Sequence, residues 1–348
     1  MDRRKHVLMY VTRVTGYVLA EVKALAKIAE VSVLNCPSNI SEKMHAAAPE
    51  INWIDASSYD SVGKIVAELH GVIPDVYLCA GWACPLPNRL AKYLRGKGCK
   101  TIVGVDTPWR GDFRQVVHKL LSRFTLRRAY DYGWAAGMSQ RHHLRELGFE
   151  EHEIMDGFYA ADVERFSKIA NLDSKITRHI FLYVGRYAPV KNMRRMESAF
   201  VKASNRIDNC DWKLICIGNG ELWNARTIHP RIQHLGYKTP LELHDFMRGC
   251  GCAVVPSVYE PWGVVTHEFA AAALPILCSR EVQSGSAYVE DGVNGFLFNP
   301  FNEDDIAQKF YQIMNLDQES LFKMRCESMK LGMSYTPEMW ARRLIAVC

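Results

Sequence analysis

Short apolar runs alternate along the chain with longer stretches that carry apolar residues at helical spacing. The runs His6–Val11, Val31–Asn35, Asp75–Ala80 and Thr101–Val105 predict buried strands. The stretches Tyr17–Ala29, Tyr59–Leu69 and Asn88–Arg95 predict helices between them. A further run, Tyr132–Gly137, passes into a helix over Ser139–Leu147, with Ser139 as its N-cap and Gly148 as its stop. In the second half, Phe181–Val184, the run ending at Ile217 and Cys252–Pro256 each lead from a strand into a turn built on glycine or proline. No repeat or low-complexity segment interrupts the pattern. Such βα alternation predicts doubly wound α/β domains with parallel sheets.

Candidate chemistry gathers at the strand-to-helix corners. Ser257–Ala273 reads SVYEPWGVVTHEFAAAA: a tight loop with Pro261 and Gly263, then a small-residue helix. The free N–H groups and positive end of such a helix are a seat for phosphate. Glu260 and Glu268 frame that seat with seven residues between them. A carboxylate beside a phosphate repels it and is better used accepting hydrogen bonds from hydroxyls, so the pairing suggests a sugar nucleotide. Phe181–Asn192, FLYVGRYAPVKN, sets Arg186 and Lys191 just past a strand end, where α/β sheets bind ligands. Trp212–Glu221, WKLICIGNGE, adds a Gly-x-Gly turn at Gly218.

These segments resemble the retaining glycosyltransferases with the GT-B fold, in the glycogen-synthase-like family called group 1, of the Glu-x7-Glu type. The resemblance implies two Rossmann-like domains facing across a cleft, with a C-terminal helix crossing back to the N-terminal one. We place these at residues 1–165 (acceptor-binding), 176–325 (nucleotide-sugar-binding) and 326–348 (returning helix), with a linker at about 163–175. It implies transfer of a sugar from a nucleoside-diphosphate sugar, UDP or GDP type, to a glycan or lipid-linked acceptor. Glu260 stands where the family's first glutamate contacts the sugar hydroxyls, and Glu268 where its second holds the ribose. Arg186, Lys191 and the amides around Gly263, Val264 and Val265 would carry the leaving diphosphate. No Asp-x-Asp occurs in the chain, so neither metal nor other cofactor is expected.

The chain departs from the family pattern at three places. Gly16 stands alone in the loop Thr12–Tyr17, where a glycine pair is usual. Ala287, in QSGSAYVEDGVNGFLF, stands where a glutamate is usual. Asp106 replaces a histidine; it would contact a sugar hydroxyl, position the acceptor or take its proton, or else cap the turn before Pro108. In the N-terminal half the resemblance rests on strand order and the segment MSQRHHLRELGF. Trp82 and Pro85–Pro87 either line an acceptor pocket or pack under their loop. A GT-B-type sugar-nucleotide 2-epimerase and a catalytically silent nucleotide-sugar-binding protein share the layout.

Composition agrees with a globular protein: 348 residues, 48% hydrophobic and 23% charged. The longest apolar run, Phe269–Cys278, contains Pro275 and is too short to span a bilayer. The opening MDRRKHVLMYVTR reads as a first strand rather than a signal peptide. Eleven cysteines without a Cys-x-x-Cys pair favour a reducing, cytoplasmic setting. A basic helical segment, 110–128, interleaves Arg110, Arg114, Lys119, Arg123, Arg127 and Arg128 with large apolar residues. It is either a surface helix with its apolar face on the sheet, or a face that docks on an anionic membrane. A protein using that face alone, as a membrane scaffold, is a third reading. No nucleic-acid-reading motif accompanies the net charge of +5.

Overall fold

The computed structural model describes residues 3–35, 46–56, 59–170, 172 and 178–348. Its contacts divide the chain into two units, Met1–Ala161 with Thr336–Cys348, and Asp162–Tyr335.

The first unit holds a seven-stranded sheet in the order β3-β2-β1-β4-β5-β6-β7. Its strands are β1 (His6–Val11), β2 (Glu30–Asn35), β3 (Asn52–Asp55), β4 (Val76–Cys79), β5 (Lys100–Val105), β6 (Tyr132–Ala135) and β7 (Ile154–Asp156). The second holds a six-stranded sheet in the order β10-β9-β8-β11-β12-β13. Its strands are β8 (Arg178–Val184), β9 (Lys213–Ile217), β10 (Ile232–His234), β11 (Cys250–Val255), β12 (Ile276–Ser279) and β13 (Gly295–Phe298). Every pairing is parallel. Central strands such as β1 and β11 are buried along their whole length, which is why they read as unbroken apolar runs. The strand order reverses between β1 and β4 and again between β8 and β11. Loops at the carboxyl ends of such neighbouring strands form the crevice where α/β sheets take ligands.

Three strands carried no clear signal in the sequence: β3, β7 and β10. All three lie at sheet edges, are short, and carry polar residues, so burial on two sides never imposed an apolar run. The helix after β6 runs Met138–Glu146, with Gly137 as its N-cap, because Arg141 N–H already bonds the Gly137 carbonyl at 2.8 Å. Ser139 is therefore inside the first turn and not the cap. Gly148 sits at φ +85°, the left-handed geometry of a helix stop.

The unit boundaries differ from those expected at 165, 176 and 325. The Asp162 side chain accepts from Arg165 N–H and starts a short helix, Val163–Ser167, inside the stretch expected to be a linker. That helix packs on the helix Val264–Ala271 of the second unit. Residues 171 and 173–177 of the expected linker lie outside the described residues. At the other end, the helix Gln318–Gly332 also packs on Val264–Ala271. Gly332 lies so close to it that a Cβ there would stand 2.2 Å from the Ala271 nitrogen. Residues 326–335 thus stay with the second unit, and only the last helix, Pro337–Ile345, belongs to the first.

That last helix is capped by Thr336, whose side chain accepts from Met339 N–H. It packs on the helix Gly16–Ala26. Trp340 stacks on Trp134 with ring centroids 5.0 Å apart, and its indole N–H donates to the Phe158 carbonyl at 2.9 Å. Trp340→Ala should cost the first unit about 3–5 kcal/mol, the usual range for emptying a buried aromatic site. Urea unfolding followed by near-ultraviolet circular dichroism measures this; a loss below about 1 kcal/mol would show that the helix docks by other contacts.

Candidate functional site

In the second unit the loops after β8 and β11 are neighbours because their strands pair. A main-chain bond from Val258 N–H to the Val190 carbonyl, 2.9 Å, ties the two loops together. Asn192, at φ +55°, ends the first loop in the left-handed conformation that asparagine tolerates. Its amide donates to the carbonyls of Pro256 at 3.2 Å and Pro300 at 2.9 Å. This fixes Lys191 one residue before it. The Lys191 ammonium pairs with the Glu260 carboxylate, and both side chains are about four-fifths buried, at 19% and 18% exposure. Ser257 Oγ adds a longer bond, 3.4 Å, to the same carboxylate oxygen.

Gly263 makes this arrangement possible. It sits at φ +92°, and a Cβ there would lie 2.8 Å from Glu260 Cγ. Glycine therefore serves both the backbone turn and the room for the carboxylate. From Gly263 the helix Val264–Ala271 begins, so the half-buried Val264 and Val265 supply first-turn amides with no intrahelical acceptor. Across the loop, Ser284 N–H donates to the Trp262 carbonyl at 3.0 Å and Ser284 Oγ to the Gly263 carbonyl at 2.8 Å. The segment around Ala287, which is itself exposed, thereby borders the same corner. Trp262 is buried here, and its indole N–H has no hydrogen-bond partner among the described residues.

Arg186 follows β8 and is exposed. The Tyr183 hydroxyl donates to its carbonyl at 2.9 Å. Burial drives Tyr183 well above the usual phenol range; among the smaller influences the Glu260 carboxylate raises it and the Arg186 guanidinium lowers it. One ring thus feels both charges. Gly218 plays a different part: at φ +140°, a Cβ on it would stand 1.9 Å from the Gly185 carbonyl oxygen. Its lack of a side chain lets the loops after β8 and β9 touch main chain to main chain.

Glu268 lies further along the helix. Burial raises its carboxyl to about 7, while the Arg165 guanidinium pulls the other way and Asp162 adds to the rise. Arg165 in turn donates from Nε to His244 Nε2 at 2.9 Å. Arg165 and His244 carry no signal in the chain, since neither stands in a motif. Glu197, Cys216 and His234 bring possible metal-ligand atoms within 4.8 Å of one another. His234 Nε2 donates to the Thr227 carbonyl at 2.9 Å, leaving Nδ1 to accept from the Tyr187 hydroxyl at 2.9 Å. Both ring nitrogens are engaged by groups outside the trio, and Glu197 accepts from Thr227 N–H at 2.9 Å.

The first unit has its own pocket, about 110 Å³, at the carboxyl end of β1. Asp106 and Tyr159 line it, and the Tyr159 hydroxyl donates to Asp106 Oδ2 at 3.2 Å. Asp106 is exposed, and its side chain also accepts from Thr107 Oγ1 at 3.2 Å. Glu21 lines the same pocket, buried, accepting from Ala160 N–H at 2.8 Å, and burial raises its carboxyl well above the ordinary range. The sequence does hold a signal for Glu21: it falls on the apolar stripe Val18, Val22 and Leu25 of its helix, where a carboxylate is out of place. Gly16 opens that helix, and nothing lies within 4 Å of where its Cβ would be.

Residues 164–327 match the family model for glycosyl transferases group 1. An uncharacterised glycosyltransferase of Methanocaldococcus jannaschii is 29% identical over 143 residues, 39% of this chain and 38% of that protein. A D-inositol 3-phosphate glycosyltransferase of Nocardiopsis dassonvillei is 35% identical over 77 residues, 22% of this chain and 18% of its own. The chain thus spans well under half the length of these curated relatives. Among solved structures, Anabaena HepE in complex with UDP and glucose superposes with a TM-score of 0.73 at 13% identity, over 99% of both chains. The lipopolysaccharide outer core galactosyltransferase WaaB, apo form, gives 0.70 at 14% identity over 98% of this chain and 99% of its own. Residues 164–327 thus resemble group 1 glycosyl transferases, and the chain shares the GT-B fold of these solved structures, two Rossmann-like α/β domains.

Proposed function

We propose that the chain is a retaining, metal-independent glycosyltransferase. It moves a sugar from a nucleoside-diphosphate sugar to a hydroxyl of a glycan or lipid-linked acceptor. The observation that carries this reading is the contact between Lys191 and Glu260. In a sugar nucleotide the anomeric carbon joins a ring of hydroxyls to a phosphate. A cation for the phosphate and a carboxylate for the hydroxyls must therefore stand side by side, as these two do. The UDP held by HepE favours a uridine donor over a guanosine one.

In the proposed reaction the bond from the anomeric carbon to the phosphate oxygen breaks, and its electron pair leaves with the diphosphate. The acceptor oxygen bonds to the same carbon from the same face, and its proton passes to the departing phosphate oxygen. Lys191, Arg186 and the amides of Val264 and Val265 stabilise the charge that grows on the diphosphate. Glu260 holds the sugar hydroxyls, and Glu268 the ribose. Asp106, steadied by Tyr159, receives the acceptor hydroxyl. The two cations and the helix terminus stand in for a divalent ion.

Two outcomes test these roles. Lys191→Ala should remove about 2–4 kcal/mol of transition-state stabilisation, the scale of one pre-placed electrostatic group. It is read from kcat/KM for transfer from UDP-sugars, and near-normal turnover would refute the role. Glu268 is raised to about 7, so it is mostly neutral at mildly acidic pH and ionised above neutrality. Only the carboxylate accepts strongly from two ribose hydroxyls. Calorimetry should therefore show UDP-glucose binding tightening as pH rises through about 7, and Glu268→Gln should flatten that dependence. An unchanged pH profile in the variant would assign the ribose to another residue.

A further inference from the structure

The helix Phe113–Ser122 in the first unit is turned inside out. Its buried residues are Gln115 and Ser122, both polar. Its large apolar side chains face solvent: Phe113 is 85% exposed, Leu120 67% and Leu121 51%, and Phe124 just beyond its end is 55% exposed. Phe113, Val116, Leu120 and Leu121 recur at the spacing of one helical stripe, which an ordinary surface helix presses onto its sheet.

The orientation is held from the polar side. The Gln115 amide donates to the Pro108 carbonyl at 2.9 Å, and its oxygen accepts from Arg110 N–H at 2.7 Å and Gly111 N–H at 3.0 Å. Gln115 N–H is in turn bound by the Asp112 cap at 2.9 Å. Rotating the helix to hide its apolar stripe would break the three side-chain bonds of Gln115. The alternative in which the apolar face packs on the sheet is thus excluded by Gln115.

Charge identifies what covers the stripe. Arg114 and Arg123 flank it on opposite sides of the helix, and the guanidinium groups of Arg123 and Arg128 lie 4.9 and 5.7 Å from the Phe124 ring. Between residues 110 and 128 the sole acidic residue is the cap, Asp112. Lys119 is already paired, with Glu146 at 2.6 Å. Phe124 also lines a groove of about 350 Å³, shared with Trp82, Arg89 and Lys92, so the apolar surface and its basic border continue beyond the helix. An apolar stripe rimmed by arginines that make no ion pair among the described residues fits the boundary of a bilayer with anionic headgroups. A protein partner would need acidic residues placed around an apolar core to match the same rim.

We infer that the face formed by Phe113, Leu120, Leu121 and Phe124, with Arg114 and Arg123 beside it, docks the first unit on an anionic membrane surface. No helix of the described residues is long and apolar enough to cross a membrane, so attachment at this face would be peripheral. This goes beyond the donor chemistry and stands or falls separately from it.

Co-sedimentation of the full chain with vesicles tests the inference, using phosphatidylcholine alone and phosphatidylcholine with about 30 mol% phosphatidylglycerol. The chain should bind the anionic vesicles, ignore the neutral ones, and detach as salt rises. Phe113→Ser with Leu120→Ser, and separately Arg114→Glu with Arg123→Glu, should each weaken binding by more than about tenfold. All four positions are exposed, and circular dichroism checks that each variant folds. Equal binding to both vesicle types, no binding to either, or undiminished binding in both variants would overturn it. So would concentration-dependent dimerisation that the apolar variant abolishes, since a second copy would then be the cover.

Discussion

The second unit depends on a single topological constraint: its sheet reverses direction of winding between β8 and β11, and those two strands pair directly. The loops that leave them have nowhere to go but alongside one another. A lysine at the end of one and a glutamate in the other are thereby brought into contact, although 69 residues separate them in the chain. The pair is held by groups that themselves carry no charge. Asn192 anchors the first loop through two carbonyls, and Gly263 leaves room for the glutamate by having no side chain. A cation, a carboxylate and a helix terminus then share one corner, and the proposed donor site rests on that grouping.

Most of this corner is legible in the sequence, because strand, turn and helix signals coincide there with charged residues. The buried strands β1 and β11 are equally plain, since burial on both faces forces an unbroken apolar run. The edge strands β3, β7 and β10 are not, because they are short and partly polar. Boundaries suffer for a related reason. Asp162 caps a helix within the stretch read as a linker, and Gly332 fixes a helix against Ala271 through a contact that no local pattern announces. Gly218 shows the limit of motif reading: the geometry explains it by the Gly185 backbone beside it.

The first unit follows a different logic. Its pocket brings together Asp106, Tyr159 and a buried Glu21 that stands in no motif. Its helix Phe113–Ser122 reverses the usual rule and turns polar residues inward. The pattern of apolar and basic residues was visible in the chain, but its direction was not. Direction depends on Gln115 and three carbonyl and amide partners that only the fold assembles.

The central claim is that the corner around Lys191, Glu260 and Gly263 takes up a diphosphate without a divalent ion. A crystal structure of the chain with a nucleoside diphosphate, grown in the presence of a chelator, tests it most directly. The account predicts phosphate oxygens against the Lys191 ammonium and the amides of Val264 and Val265, with the ribose at Glu268. Diphosphate density elsewhere, or nucleotide that binds only when a divalent ion is restored, would contradict it.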